Sequence, residues 1–273
     1  MDELNSGPDI HARQIMLNME RWRWLPHTMN QPYIMVNIAG FALDVIDSNR
    51  SVLNMKIIVG KKYTRTPLFN ATMKYIVLNP WWEIPVSIAK KEVLRDIQTK
   101  RGYLAKNNIK VYKDWGSGAK EISPDKVQWD SISPRQLKYR FRQSPGPGNA
   151  LGRIKFIFPN NYNVYLHDTP NKELFKRNVR TFSHGCLRIE KPIELAKYIL
   201  KGDTALNDDV LNSDNHEEKM INLLHPLDVY ICYWTSWVDD RGDLYFHPDI
   251  YGYDKKLARE LNLPELPAQE TEE

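Results

Sequence analysis

Cysteine is scarce in this chain. Its 273 residues hold two, Cys186 and Cys232, in unrelated contexts, which excludes a disulfide scaffold and leads us to expect two free thiols. No run of about 18 apolar residues occurs, so no membrane-spanning helix is read. The opening MDELNSGPDI has neither the basic nor the apolar region of an export signal. Charge of one sign is also lacking: 38 Lys and Arg stand against 34 Asp and Glu, a net +4, too even to suggest a nucleic-acid binder. Neither Cys-x-x-Cys nor His-Glu-x-x-His is present, and His216-Glu217-Glu218-Lys219-Met220 lacks the second histidine. No cofactor and no metal are therefore expected. There is no internal repeat or low-complexity segment. The length allows one large core, or a core plus a smaller subdomain, without staples.

What the chain does have is Thr181-Phe182-Ser183-His184-Gly185-Cys186-Leu187-Arg188-Ile189. A thiol becomes a nucleophile when an imidazole or a cation favours the thiolate, and an adjacent glycine lets a carbonyl substrate approach the backbone. A second histidine, His167 in Tyr165-Leu166-His167-Asp168-Thr169-Pro170, precedes the cysteine by a strand and a returning loop. A histidine ending one strand can face a cysteine on the next. Two other readings stand beside this one. Cys186 can be a buried structural thiol among satisfied core histidines, or His167, His184 and Cys186 can hold zinc, although ligands two residues apart form an awkward pair.

His-x-Thr followed by Ser-His-Gly-Cys-x-Arg resembles the signature of the L,D-transpeptidases, the YkuD-type catalytic domain. Leu17 to Pro26, Asn79 to Pro85, Gly102 to Asn108, Tyr139 to Gly152 and Tyr165 to Arg177 resemble its large Gram-negative branch. The resemblance implies a β-rich α+β fold, a mixed β-sandwich with peripheral helices and an inserted capping subdomain. It implies a peptidoglycan L,D-transpeptidase that forms 3-3 crosslinks between stem peptides through a thioester on Cys186, with carbapenem-type β-lactams as inhibitors. An L,D-carboxypeptidase, in which water replaces the amine, and a catalytically idle wall-binding module are the alternatives. The family acts in the periplasm or cell envelope, so an export signal and upstream modules are expected to be missing from this chain.

The resemblance also distributes roles. His167 is the base, its other ring nitrogen held by the backbone carbonyl of Asp168, whose side chain is not the orienter. The N–H groups of Gly185 and Cys186 are the oxyanion donors. His184 either assists the oxyanion or tunes the thiolate. Arg188 either neutralises a substrate carboxylate or ties the motif loop through a buried ion pair. Tyr165 shares the strand face of His167 and lines the site or packs in the core. Trp81 and Trp82 resemble an aromatic wall beside the substrate. Lys172, Lys176, Arg177 and Arg180 either guide acidic stems or are simply solvated. Cys232, in an apolar strand, is read as a small buried hydrophobe.

Along the chain, residues 1–30 are an N-terminal helical segment, 31–262 the catalytic domain, about 87–133 the capping insertion, and 263–273 a flexible tail. Ile15, Met16, Met19, Trp22 and Leu25 predict an amphipathic helix over 12–24. Tyr33 to Ile38, Phe41 to Ile46 and Val52 to Val59 predict an antiparallel meander, with further strands over 74–78, 154–158 and 163–167. Ser87 to Lys100 is predicted helical, in a segment whose apolar content looks too thin for its own core. Helices are predicted over 192–201 and 216–224, and strands over 229–234 and 237–246 that finish the sheet.

Overall fold

Period-two burial writes the first strands. β1 (Tyr33–Asn37), β2 (Ala42–Asp47) and β3 (Arg50–Gly60) pair antiparallel in succession, as the meander predicted, with Leu43 and Val45 buried and Asp44 between them turned outward. The computed structural model describes residues 8–114, 116, 118–201, 217–239 and 241–263. Expectations for the tail after Leu263, for the export-signal region and for the start of the 216–224 helix lie outside the described residues.

β4 (Phe69–Leu78) leaves this sheet for an insertion. There β5 (Trp82–Glu83), β6 (Ile109–Tyr112), β7 (Glu121–Ile122) and β8 (Arg140–Gln143) form a separate four-stranded sheet in the order β5-β8-β6-β7. The chain then returns through β9 (Ile154–Ile157), β10 (Leu166–His167), β11 (Thr181–Ser183), β12 (Leu187–Ile189) and β13 (Lys219–Cys232). These join a nine-stranded sheet ordered β11-β3-β12-β10-β9-β4-β13-β1-β2, and β2 also pairs with β3, so the sheet closes on itself. The pairs β1–β13, β10–β12 and β11–β3 are parallel and the others antiparallel. Ile34, Leu43, Ile57, Phe156, Leu166 and Leu187 are fully buried inside.

Four sequence expectations are corrected. The stretch predicted helical over 216–224 is, where described, the start of β13. Ile221 and Leu223 are buried while Met220 and Leu224 are exposed, a strand period, and Pro226 sits where the register with β4 shifts. β14 (Ser236–Val238) and β15 (Leu244–Phe246) do form a hairpin, but as their own two-stranded sheet. The N-terminal helix α1 (Pro8–Trp22) docks through fully buried Leu17 and a row of polar side chains rather than through the whole predicted apolar stripe. Met16 and Met19 are exposed, whereas Gln14, Asn18 and Arg21 are buried, donating to the Thr235 carbonyl and hydroxyl and ion-pairing with buried Asp254 at 2.6 Å. Buried polar groups with partners of this kind override an apolar stripe.

The fourth correction concerns the insertion, which does hold a core. Ile84, Val93, Leu94, Ile109, Val111 and Phe141 are buried together, because its flanking strands β5 and β8, outside residues 87–133, supply part of the apolar surface. Its helix runs from Val86 to Thr99 with a π-helical turn over Ala89–Val93. Both connections to the main sheet are gathered by buried Asn149, whose amide donates to the carbonyls of Pro80 and Ser144 at 3.0 and 2.9 Å. Among the described residues no helix is long and apolar enough to cross a membrane.

Candidate active site

β10 and β12 lie side by side in parallel, with His167 opposite Arg188, and Cys186 immediately precedes β12. His167, Cys186 and Arg188 are thus brought together by one strand pair. His167 is 5 % exposed, and its Nδ1 lies 2.5 Å from the Asp168 carbonyl oxygen. A carbonyl can only accept, so Nδ1 carries the hydrogen and Nε2 is left with its lone pair. The Asp168 carboxylate does something else. It accepts the N–H groups of Arg153 and Thr169 at 2.9 and 2.7 Å and the Lys172 ammonium at 2.5 Å, bracing the turn that follows His167.

Tyr165 sits deep in the site. Its backbone and hydroxyl favour the thiolate form of Cys186, and its ring centroid lies 5.7 Å from that of His167. Burial nevertheless pushes the Cys186 thiol up to about 11, against the lowering effect of Tyr165 and Arg188. Burial likewise pulls His167 down to about 3, with Arg188 acting in the same direction. The resting pair is therefore a neutral thiol and a neutral imidazole, not a thiolate and an imidazolium. The thiol hydrogen faces the Asn163 carbonyl, 3.7 Å from Sγ.

Arg188 makes neither of the contacts a loop-tying residue needs. No ion pair to it exists among the described residues, and its Nε is buried without a hydrogen-bond partner, while its charge lies close enough to the thiol to favour the thiolate. His184 Nε2 lies 2.7 Å from Glu92 Oε1, on the π-helical turn of the insertion. Among the described residues, no three His, Cys, Asp or Glu side chains are gathered so as to hold a metal ion.

Several expected residues behave differently. The Gly185 N–H is spent on the Ser183 hydroxyl at 3.1 Å, and that hydroxyl donates to the Cys186 carbonyl at 2.5 Å, so of the two expected oxyanion donors the Cys186 N–H is the one that remains. Trp82 packs on the core of the insertion through the β5–β8 pairing, and Arg142 lies over the Trp81 ring at 4.7 Å. Neither indole is brought against Cys186 or His167. Lys176 pairs with Glu173, and Arg180 donates to the carbonyls of Ile57 and Phe41, which makes it a structural tie. Cys232 is half-buried against Met35, Tyr230 and Trp234 rather than sealed. Glu92, Ser183 and Thr66, which touches the motif loop, were not singled out in the sequence. Ser183 lay within the motif, but nothing local marks the other two.

Fold and site together are those of a YkuD-type domain, and the comparisons with known proteins agree. Residues 31–210 match the YkuD family, described as the L,D-transpeptidase catalytic domain. The chain belongs to this family. It is also 33% identical over 259 residues to a Haemophilus influenzae protein described as "Putative L,D-transpeptidase", a match that covers 93% of this chain and 50% of that relative. The chain thus spans half the length of that protein.

Proposed function

We propose that the protein is a peptidoglycan L,D-transpeptidase that joins stem peptides through a thioester on Cys186. The observation that carries this is the β10–β12 strand pair, which sets His167, its tautomer locked by Asp168 with Nε2 free, beside the segment that carries Cys186. Tyr165 and Arg188 favour negative charge on sulfur, and His167 is set to take a proton.

Since both partners rest neutral, proton transfer accompanies attack. Sγ bonds to the carbonyl carbon at the L-centre of the third stem residue while its hydrogen passes to His167 Nε2. Negative charge collects on the carbonyl oxygen, where the Cys186 N–H stabilises it. Collapse breaks the C–N bond, the proton from His167 goes to the departing amine of D-alanine, and a thioester remains. An amine from a second stem then attacks the thioester and loses its proton to His167, the C–S bond breaks, the departing sulfur takes that proton back to restore the Cys186 thiol, and a 3-3 crosslink is left. Water in place of that amine gives L,D-carboxypeptidase activity. Arg188 supplies a positive site for a carboxylate of the stem, which fits an anionic substrate of the cell envelope. The insertion lies over the site as a cap, supported by its contact through Glu92 to His184, and limits the access of water to the thioester.

The test is product analysis by mass after incubation with tetrapeptide muropeptides. Crosslinked dimers with loss of D-alanine support the transpeptidase. Tripeptide monomers alone assign the carboxypeptidase, and unchanged muropeptides overturn both.

A further inference from the structure

We propose that Thr66, outside the catalytic motif, is a positioning residue that aims the Cys186 N–H at the developing oxyanion. The inference rests on the acyl-transfer reading of Cys186. A trans peptide directs its C=O and N–H oppositely, so whatever grips the Gly185 carbonyl sets the direction of the Cys186 N–H. That grip is the Thr66 hydroxyl, fully buried, which donates to the Gly185 carbonyl at 2.8 Å. The same oxygen accepts the Gly60 N–H at 3.0 Å, so the single hydroxyl hydrogen is committed to Gly185.

The grip matters because of where it acts. Gly185 has φ +121°, a conformation open to glycine and not otherwise stiffened by a side chain. Of the backbone polar groups of Gly185 and Cys186, the Cys186 N–H alone has no partner among the described residues. The loop carrying Thr66 is itself fixed. The Lys61 N–H and the Thr64 hydroxyl donate to the Ser183 carbonyl at 3.0 and 3.1 Å, and the Tyr251 hydroxyl donates to the Gly60 carbonyl at 2.5 Å. A Cβ on Gly60 would lie 2.0 Å from the Thr64 carbonyl oxygen, so the loop folds back this tightly only over a glycine.

Two rates on the same purified protein test the inference. Acylation by a carbapenem, followed by intact mass, builds an oxyanion; alkylation of Cys186 by iodoacetamide, followed by peptide mapping, displaces iodide and builds none. Thr66→Val should slow acylation about 10- to 100-fold, somewhat less than outright loss of an oxyanion donor, and leave alkylation within about twofold. Thr66→Ser, which keeps the hydroxyl, should match the parent in both. Thr66→Ala makes the same deletion should Thr66→Val not fold. Parent-like acylation by the Thr66 deletions, or equal losses in both assays, would overturn the inference. A parent that forms no acyl adduct but alkylates normally would overturn the acyl-transfer reading, and this inference with it.

Discussion

Glu92 and His184 meet across the two units of the fold, Oε1 to Nε2 at 2.7 Å, although they are 92 residues apart in the chain. Their side chains are 42% and 33% exposed, so the pair contributes at most about 1 kcal/mol. It cannot hold the insertion in place, a task left to the insertion's own core and to Asn149. What it can do is set how the insertion meets the motif loop. Glu92→Gln should therefore shift Tm by no more than about 2–4 °C and leave carbapenem acylation unchanged, while crosslinking of muropeptides falls several-fold. Loss of acylation as well would mean that His184 acts at the sulfur.

Removing the insertion is the larger version of that experiment. A short Gly/Ser linker from Pro80 to Ser144, whose carbonyls Asn149 already gathers, should leave the closed sheet folded and Cys186 reactive towards a small β-lactam. Crosslinking should drop in favour of hydrolysis, since water then reaches the thioester. A truncated chain that crosslinks as well as the parent removes the insertion from substrate handling, and one that does not fold makes it part of the main core.

The thiol itself has a pH signature. With Cys186 raised to about 11, its alkylation rate should climb steadily from pH 7 to 10 with no plateau. Tyr165→Phe, which deletes a hydroxyl that favours the thiolate, should slow alkylation at pH 8 about tenfold, in line with a loss of about one pKa unit of thiolate stabilisation. Peptide mapping separates this signal from Cys232, which burial raises to about 12. A plateau already reached at neutral pH would show a preformed thiolate–imidazolium pair.

Much of this was legible in the sequence, and the divisions have physical causes. Cys186 and His167 are fixed by one strand pair, so their spacing pointed to each other, and the resemblance supplied the Asp168 carbonyl next to His167. Partners over long loops left no such trace: Glu92 reaches His184 only because the insertion folds back, and Thr66 reaches Gly185 only through the turn at Gly60. The same limit produced the error at α1, where Met16 and Met19 of the apolar stripe proved exposed because Thr235 and Asp254, distant in sequence, bury Asn18 and Arg21 on another face. Met220 to Leu224 reads equally well at helical spacing until pairing with β4 fixes a period of two.

Acid should destabilise the fold partly through His167. Its folded value of about 3 lies below the ordinary 6.5, so the unfolded chain takes up the proton first. Stability is then present above pH 6.5 and is lost as pH falls from there towards 3. His167→Gln should flatten that part of a stability–pH curve measured by urea unfolding. A remaining slope is expected from His247, which burial also lowers. An unchanged slope would mean that His167 is not held neutral.

The most direct test of the central claim is intact mass with peptide mapping after mixing the protein with tetrapeptide muropeptides. The account predicts a transient acyl adduct on Cys186, accompanied by release of D-alanine and by crosslinked dimers, with adduct and dimers both absent in Cys186→Ala. Dimers formed by Cys186→Ala, or an adduct mapped to any other residue, would contradict it.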